Sequence, residues 1–238
     1  MMDPGGPLAT AGRNFSNLTR SYATLGLAAG LLLVHLAIFL AAPGIGWYET
    51  FGLGRQGFLT GKIWQLFTHA LVHGAWWHVA LNALFLLLIG SRVEHMTGAR
   101  TMLRVTLAGV LGGGLFHLLL GSGLLVGISG GCMALLLLLT TLSPQSRMMP
   151  LPLSGRSLGL GIMLAALFLT LLNPDLNLPG VSDGGRWLAR RGHGDLFQMG
   201  HACHFGGALS GWIYGRWILR PRVTLDGLRR DRARREAK

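Results

Sequence analysis

Apolar residues along this chain fall in long runs, separated by short stretches rich in glycine and proline. Six runs stand out, at residues 22–41, 76–90, 101–120, 129–142, 158–172 and 196–219. A helix that crosses a hydrocarbon core of about 30 Å needs about 20 apolar residues. The first, third and sixth runs meet that length. The second meets it only by starting earlier, near His73, and the fourth and fifth are short. The breaks include Ala42-Pro43-Gly44, residues 144–152, and the stretch from Asn173-Pro174 to Gly180-Val181. No internal repeat is evident. The pattern predicts an all-α membrane protein, a six-helix transmembrane bundle with a short, recessed fourth helix.

Composition agrees with that pattern. Of 238 residues, 50% are hydrophobic and 13% charged, and the mean hydropathy is +0.47, far above an ordinary soluble domain. The expected organisation is a cytoplasmic N-terminal segment (1–21), one six-span domain (22–219) and a basic cytoplasmic tail (220–238). Some twenty mostly polar residues precede the first run, which does not fit a cleavable signal peptide. The formal charge is +12, but nine of the 21 basic residues lie in residues 216–238, directly after an apolar run. Such a tail reads as an anchor facing anionic lipid, with the bilayer and not nucleic acid as partner.

Loop charges set the expected orientation. With the N-terminus inside, the inside segments hold sixteen Lys and Arg and the outside loops five: Arg55, Lys62, Arg186, Arg190 and Arg191. The positive-inside rule then places both termini in the cytoplasm. Trp47, Trp64, Trp76, Trp77 and Trp187 fall near the outer interface and Trp217 near the inner one, as an aromatic belt requires.

Polar groups within apolar runs are costly and mark sites of chemistry. All nine acidic residues read as lying in loops or tails, so no intramembrane aspartate pair or carboxylate relay is expected. No His-Glu-x-x-His occurs, and no metal or other cofactor is expected. Cys132 and Cys203 form no disulfide framework and read as small packing residues. Histidine differs: His35, His69, His73, His78, His117, His201 and His204 lie in or beside apolar runs. A lone membrane histidine is usually a packing residue, but each buried imidazole needs a partner, and seven change the balance.

Gly127-Ile128-Ser129-Gly130-Gly131 alone fits a tight helix contact between small residues. Helix length adds to this. From Ser129 to Ser143-Pro144 there are about 14 residues, roughly 21 Å of helix, or about 10 Å short of a full span. Residues 121–128 must then dip inward to meet Ser129, which backbone tolerates only where protein or water surrounds it. His204 lies roughly 22 Å above Leu219 by the same count, level with Ser129. An imidazole kept neutral by apolar surroundings is available as a base, and a helix N-terminus favours negative charge on the serine. Gly206, Gly207, Gly211 and Gly215 would let the sixth helix approach the Gly130-Gly131 end of the fourth. Ser129 and His204 thus make a minimal nucleophile–base pair, a dyad because no acid is available.

Acyl transfer also needs donors for an oxyanion. His78 and Asn82, four apart, share one helix face at the same depth. Interhelical hydrogen bonding is an equal reading for Asn82. His35 and His117 also lie near that level, so depth nominates candidates without choosing among them.

Three separated motifs together resemble the rhomboid intramembrane serine proteases, of the bacterial six-span type. They are His73-Gly-Ala-Trp-Trp-His78-Val-Ala-Leu-Asn82 followed by Val93-Glu94 and Gly98, then Gly127-Ile128-Ser129-Gly130 with Ala134, then His204-Phe205-Gly206-Gly207 with Gly211. The resemblance covers residues 64–215. It implies Ser129 as nucleophile, His204 as general base, and His78, Asn82 and the Ser129 backbone N–H as oxyanion donors. It further implies single-span transmembrane proteins as substrates, lateral access gated by the fifth helix and residues 173–195, and a bacterial inner membrane with the site opening outward. Residues 43–67 lack a clear Trp-Arg pair, and residues 173–195 match no recognisable motif. Two rival readings remain: an inactive rhomboid-like chaperone or binder on the same scaffold, and a transporter or metal-binding protein using the His69/His73 pair at i, i+4.

Overall fold

The computed structural model describes residues 20–41, 46–147, 153–220 and 225–237. Six long helices form the bundle: α1 (Tyr22–Ala41), α2 (Trp76–Thr97), α3 (Ala99–Leu120), α4 (Ser129–Leu142), α5 (Gly155–Leu172) and α6 (His201–Ile218). A basic helix, α7 (Leu225–Glu236), follows. The described residues contain no strand, only two isolated bridges. The first segment 1–19, the Ala42-Pro43-Gly44 break and residues 148–152 of the second break lie outside the described residues.

α1, α2, α3 and α5 are each long and apolar enough to cross a membrane. α4 begins at Ser129, as its sequence predicts, with 14 residues against 22 for α3. It is the central helix: ten of its 14 residues are buried, so it is apolar all round. α1, by contrast, buries only the stripe Thr24, Ala28, Leu31 and His35.

Two boundaries differ from the sequence reading. α2 starts at Trp76, as the second apolar run does, and reaches spanning length at its other end and not by starting near His73, continuing through a π-helical turn at Leu86–Gly90 and past Gly90 to Thr97. Glu94, expected in a loop, is therefore helical and 8% exposed. Its carboxylate accepts hydrogen bonds from Ala23 N (3.1 Å), Thr24 N (2.8 Å) and Thr24 Oγ1 (2.6 Å). It caps the otherwise unsatisfied N–H groups at the start of α1, where negative charge is favourable. α6 starts at His201, not at residue 196. Leu196 belongs to a 3-10 turn, Gly194–Gln198, and Gly200 is non-helical (φ −71°, ψ 62°).

The core packing is that of small residues in close approach. α6 packs chiefly against α4 and α3. A Cβ on Gly207 would overlap the Gly130 carbonyl, and one on Gly211 the Ala134 carbonyl, so α6 and α4 touch backbone to backbone. Gly215 continues this seam against Thr141. Gly206 and Gly131 depart from the expected seam: Gly206 faces Gly112 and Phe116 of α3, and Gly131 faces Thr106 of α3. Both cysteines are buried and free, as read from sequence, with Cys203 Sγ against Gly113 and Gly130.

Candidate active site

The non-helical stretch 121–128 delivers Ser129 into the bundle, and its backbone is held by protein. Leu125 and Leu53 exchange both backbone hydrogen bonds at 2.9 Å, and both are buried. Gly127 N donates to the His69 carbonyl at 2.8 Å. Gly127 has φ +104°, a region open to glycine, and a Cβ there would meet the His78 ring at 2.8 Å. The turn into α4 thus lies directly on His78, with Asn82 Nδ2 beyond at 3.5 Å from the same point.

At the head of α4, Ser129 Oγ lies 2.9 Å from His204 Nε2. His204 sits one turn into α6, and the Gly207–Gly130 contact one turn further on sets the spacing of the two helices. With Nδ1 protonated, Nε2 accepts the serine O–H. Among the described residues no carboxylate is hydrogen-bonded to His204. The pair opens on a cavity of about 720 Å³ that His78 and Asn82 also line. All four residues singled out in the sequence therefore meet at one cavity.

Asn82 is 6% exposed, and its Nδ2 has no hydrogen-bond partner, while Oδ1 is approached by the Cys132 thiol at 3.7 Å. A buried amide donor without a partner, lining the same cavity as a serine at a helix N-terminus, is chemically able to donate to a negative charge developing there.

The other histidines separate by environment. His35 packs edge-on against Trp76 at 4.5 Å, away from Ser129. His69 Nδ1 donates to the Gln65 carbonyl at 2.8 Å. His73 is fully buried against His78, their ring centres 5.0 Å apart. Burial lowers both His69 and His73 to about 4, which keeps these imidazoles neutral at ordinary pH. His117 lines the cavity and donates to Gly123 at 3.3 Å. His201 also lines it and donates to the Leu196 carbonyl at 2.7 Å. No group of three or more His, Cys, Asp or Glu suited to a metal ion occurs among the described residues.

A family model for the rhomboid domain matches residues 60–221, which contain every residue of this cavity. The chain belongs to the rhomboid family. A curated relative, "Rhomboid-like protein 16, chloroplastic" of Arabidopsis thaliana, is 33% identical over 98 residues. That match takes in 39% of this chain and only 30% of the relative's length. This rhomboid is an integral membrane protein built as an all-α bundle.

Sequence reasoning missed several residues of the rhomboid cavity. Met133 stands one turn below Ser129 on the same face of α4, a spacing that would have found it. Thr170 and Asn173 enter from the end of α5. Phe197 and Met199 read as part of the sixth apolar run, but they line the cavity from the segment between residues 194 and 200. Residues 173–195, without a motif, hold short helical pieces, the longest being Val181–Leu188.

Proposed function

We propose that this rhomboid is an intramembrane serine endopeptidase that cleaves single-span transmembrane proteins. The observation that carries the reading is the 2.9 Å contact between Ser129 Oγ and His204 Nε2 inside a recessed cavity. Ser129 Oγ attacks the scissile carbonyl carbon while its proton passes to His204 Nε2. The tetrahedral oxyanion is met by Asn82 Nδ2, His78 and the Ser129 backbone N–H. Collapse breaks the C–N bond, and His204 returns the proton to the leaving amine, giving an acyl-enzyme on Ser129. Water then attacks, gives its proton to His204, and releases the acid product as the proton returns to Oγ.

Substrate helices reach the cavity laterally past α5 and the segment after it. Leu169 and Thr170 of α5, with Asn173 just beyond, supply one wall of that cavity. The bias of basic residues toward the inside segments supports cytoplasmic termini and a site that opens outward. In a bacterial cell this corresponds to the inner membrane.

An inactive rhomboid-like binder on the same scaffold is the second reading, but it has no need of a serine hydrogen-bonded to a histidine. The test is reconstitution in liposomes with a fluorogenic transmembrane peptide, comparing the wild type with Ser129→Ala and His204→Ala. Cleavage by the wild type alone, with fluorophosphonate labelling at Ser129, is the expected result. Cleavage that survives Ser129→Ala overturns the mechanism, and helix capture without cleavage by the wild type favours the binder.

A further inference from the structure

A second cavity, of about 600 Å³, lies between α4, α5 and α6 at the end opposite Ser129. Its volume is within the range of small-molecule pockets. Most of its wall is apolar, including Leu137, Met163 and Trp212. Thr140 and Thr141 also line it, but both hydroxyls already donate to the Leu137 carbonyl, at 3.1 and 2.6 Å.

Two guanidinium groups complete the wall, Arg156 in the first turn of α5 and Arg216 in the last turn of α6. Both residues are exposed, and neither forms an ion pair with a carboxylate among the described residues. The first turn of α5 carries no acidic residue either. An apolar groove between α4, α5 and α6, with two guanidinium groups at one end, matches the two halves of a phospholipid. Guanidinium pairs bind phosphate in bidentate fashion, and basic pockets between membrane helices take anionic headgroups.

We infer that the groove between α4, α5 and α6 holds one anionic phospholipid, its phosphate on Arg156 and Arg216 and an acyl chain beside Met163 and Trp212. The site shares α5 with the Ser129 cavity. Arg156 and Asn173 stand about 25 Å apart along that helix, one at each site. The basic helix α7 is a separate attraction for anionic lipid, so the two must be resolved.

The test takes the full chain from mixed phosphatidylcholine and phosphatidylglycerol vesicles into detergent and weighs the retained lipid by native mass spectrometry. Phosphatidylglycerol is expected to be retained selectively as one bound molecule. Each guanidinium near an anionic headgroup is worth roughly fivefold, so R156Q/R216Q is expected to lose roughly 25-fold in selective retention. M163W, which fills the groove and keeps both charges, is expected to lose retention as well. R234Q/R235Q in α7 is expected to keep it. Equal retention of the two lipids by the wild type overturns the proposal. So does unchanged retention in R156Q/R216Q, loss in R234Q/R235Q alone, or a dimer that occupies the groove. Displacement of the lipid by inorganic phosphate at equal concentration would make this a simple anion site and also overturn it. None of these outcomes depends on whether Ser129 cleaves peptide bonds.

Discussion

Gly207 of α6 stands against the Gly130 carbonyl of α4 with no room for a Cβ between them. Ser129 precedes Gly130 in the chain and His204 precedes Gly207 by one turn, so this contact sets the distance between the two functional atoms. Gly207→Val is expected to part the helices by the width of a side chain. A misplacement of about 1 Å can cost about 100-fold in rate. Peptide cleavage and fluorophosphonate labelling should both fall by that order, whereas Gly161→Val, at a glycine in α5 with open space around it, should leave both unchanged.

Asn82 separates catalysis from stability. Its Nδ2 is buried without a partner, so Asn82→Ala removes no hydrogen bond made by that nitrogen. If the amide donates to the oxyanion, turnover should fall by about 100-fold or more while the thermal midpoint holds or rises. A fall in both together would mean that Asn82 serves the packing of α2 on α4.

Much of this site is legible in sequence because helix geometry is periodic and membrane spans have fixed length. Ser129 is placed by a count from Ser143-Pro144, and His78 and Asn82 by a spacing of four. What fails is whatever depends on partners distant in sequence. Arg92 and Glu94 look like a loop, yet Glu94 is satisfied by Ala23 and Thr24, some 70 residues away. Residues 196–199 look like the start of α6, because apolarity alone does not separate a buried helix from a cavity wall. The choice of His204 over His35, His117 and His201 needed either the family pattern or coordinates. Depth is one dimension, and the 2.9 Å contact is fixed in three.

Glu94 supplies a prediction about stability alone. It anchors three donors at the start of α1, far from the cavity. Glu94→Ala leaves the two backbone N–H groups of Ala23 and Thr24 without their acceptor and should cost on the order of 2–3 kcal/mol. Thermal unfolding in detergent should show the loss, and residual folded protein should keep the rate constant of the wild type. Glu94→Gln, which keeps one acceptor oxygen, should lose less.

Stability should also depend on pH through His69 and His73. Both are neutral when folded, with values lowered from 6.5 to about 4 by burial. The unfolded chain therefore binds more protons than the folded one between those limits, and stability rises with pH across that window. It is fully present above 6.5, is lost as pH falls, and levels off below about 4. Each histidine contributes on the order of 3 kcal/mol to the change. Thermal midpoints measured from neutral pH downward should trace that fall, and His73→Phe should make it shallower by one histidine's share.

Gly127 joins the fold to the site most directly. Its φ of +104° is strained for any other residue, and an added Cβ would press on the His78 ring. The same residue ties the turn to the rest of the protein, since its N–H donates to His69. Gly127→Ala keeps that hydrogen bond but forces either the backbone or His78 to move, at about 1–3 kcal/mol. In the proposed mechanism, movement of His78 would weaken an oxyanion donor, whereas movement of the backbone would shift Ser129 itself. The two are separable: displaced His78 lowers turnover with fluorophosphonate labelling kept, and displaced Ser129 lowers both. His78 itself lines the open cavity, whereas the turn is pinned at Leu125 and at His69. The ring should therefore yield first, and Gly127→Ala should keep labelling while losing turnover.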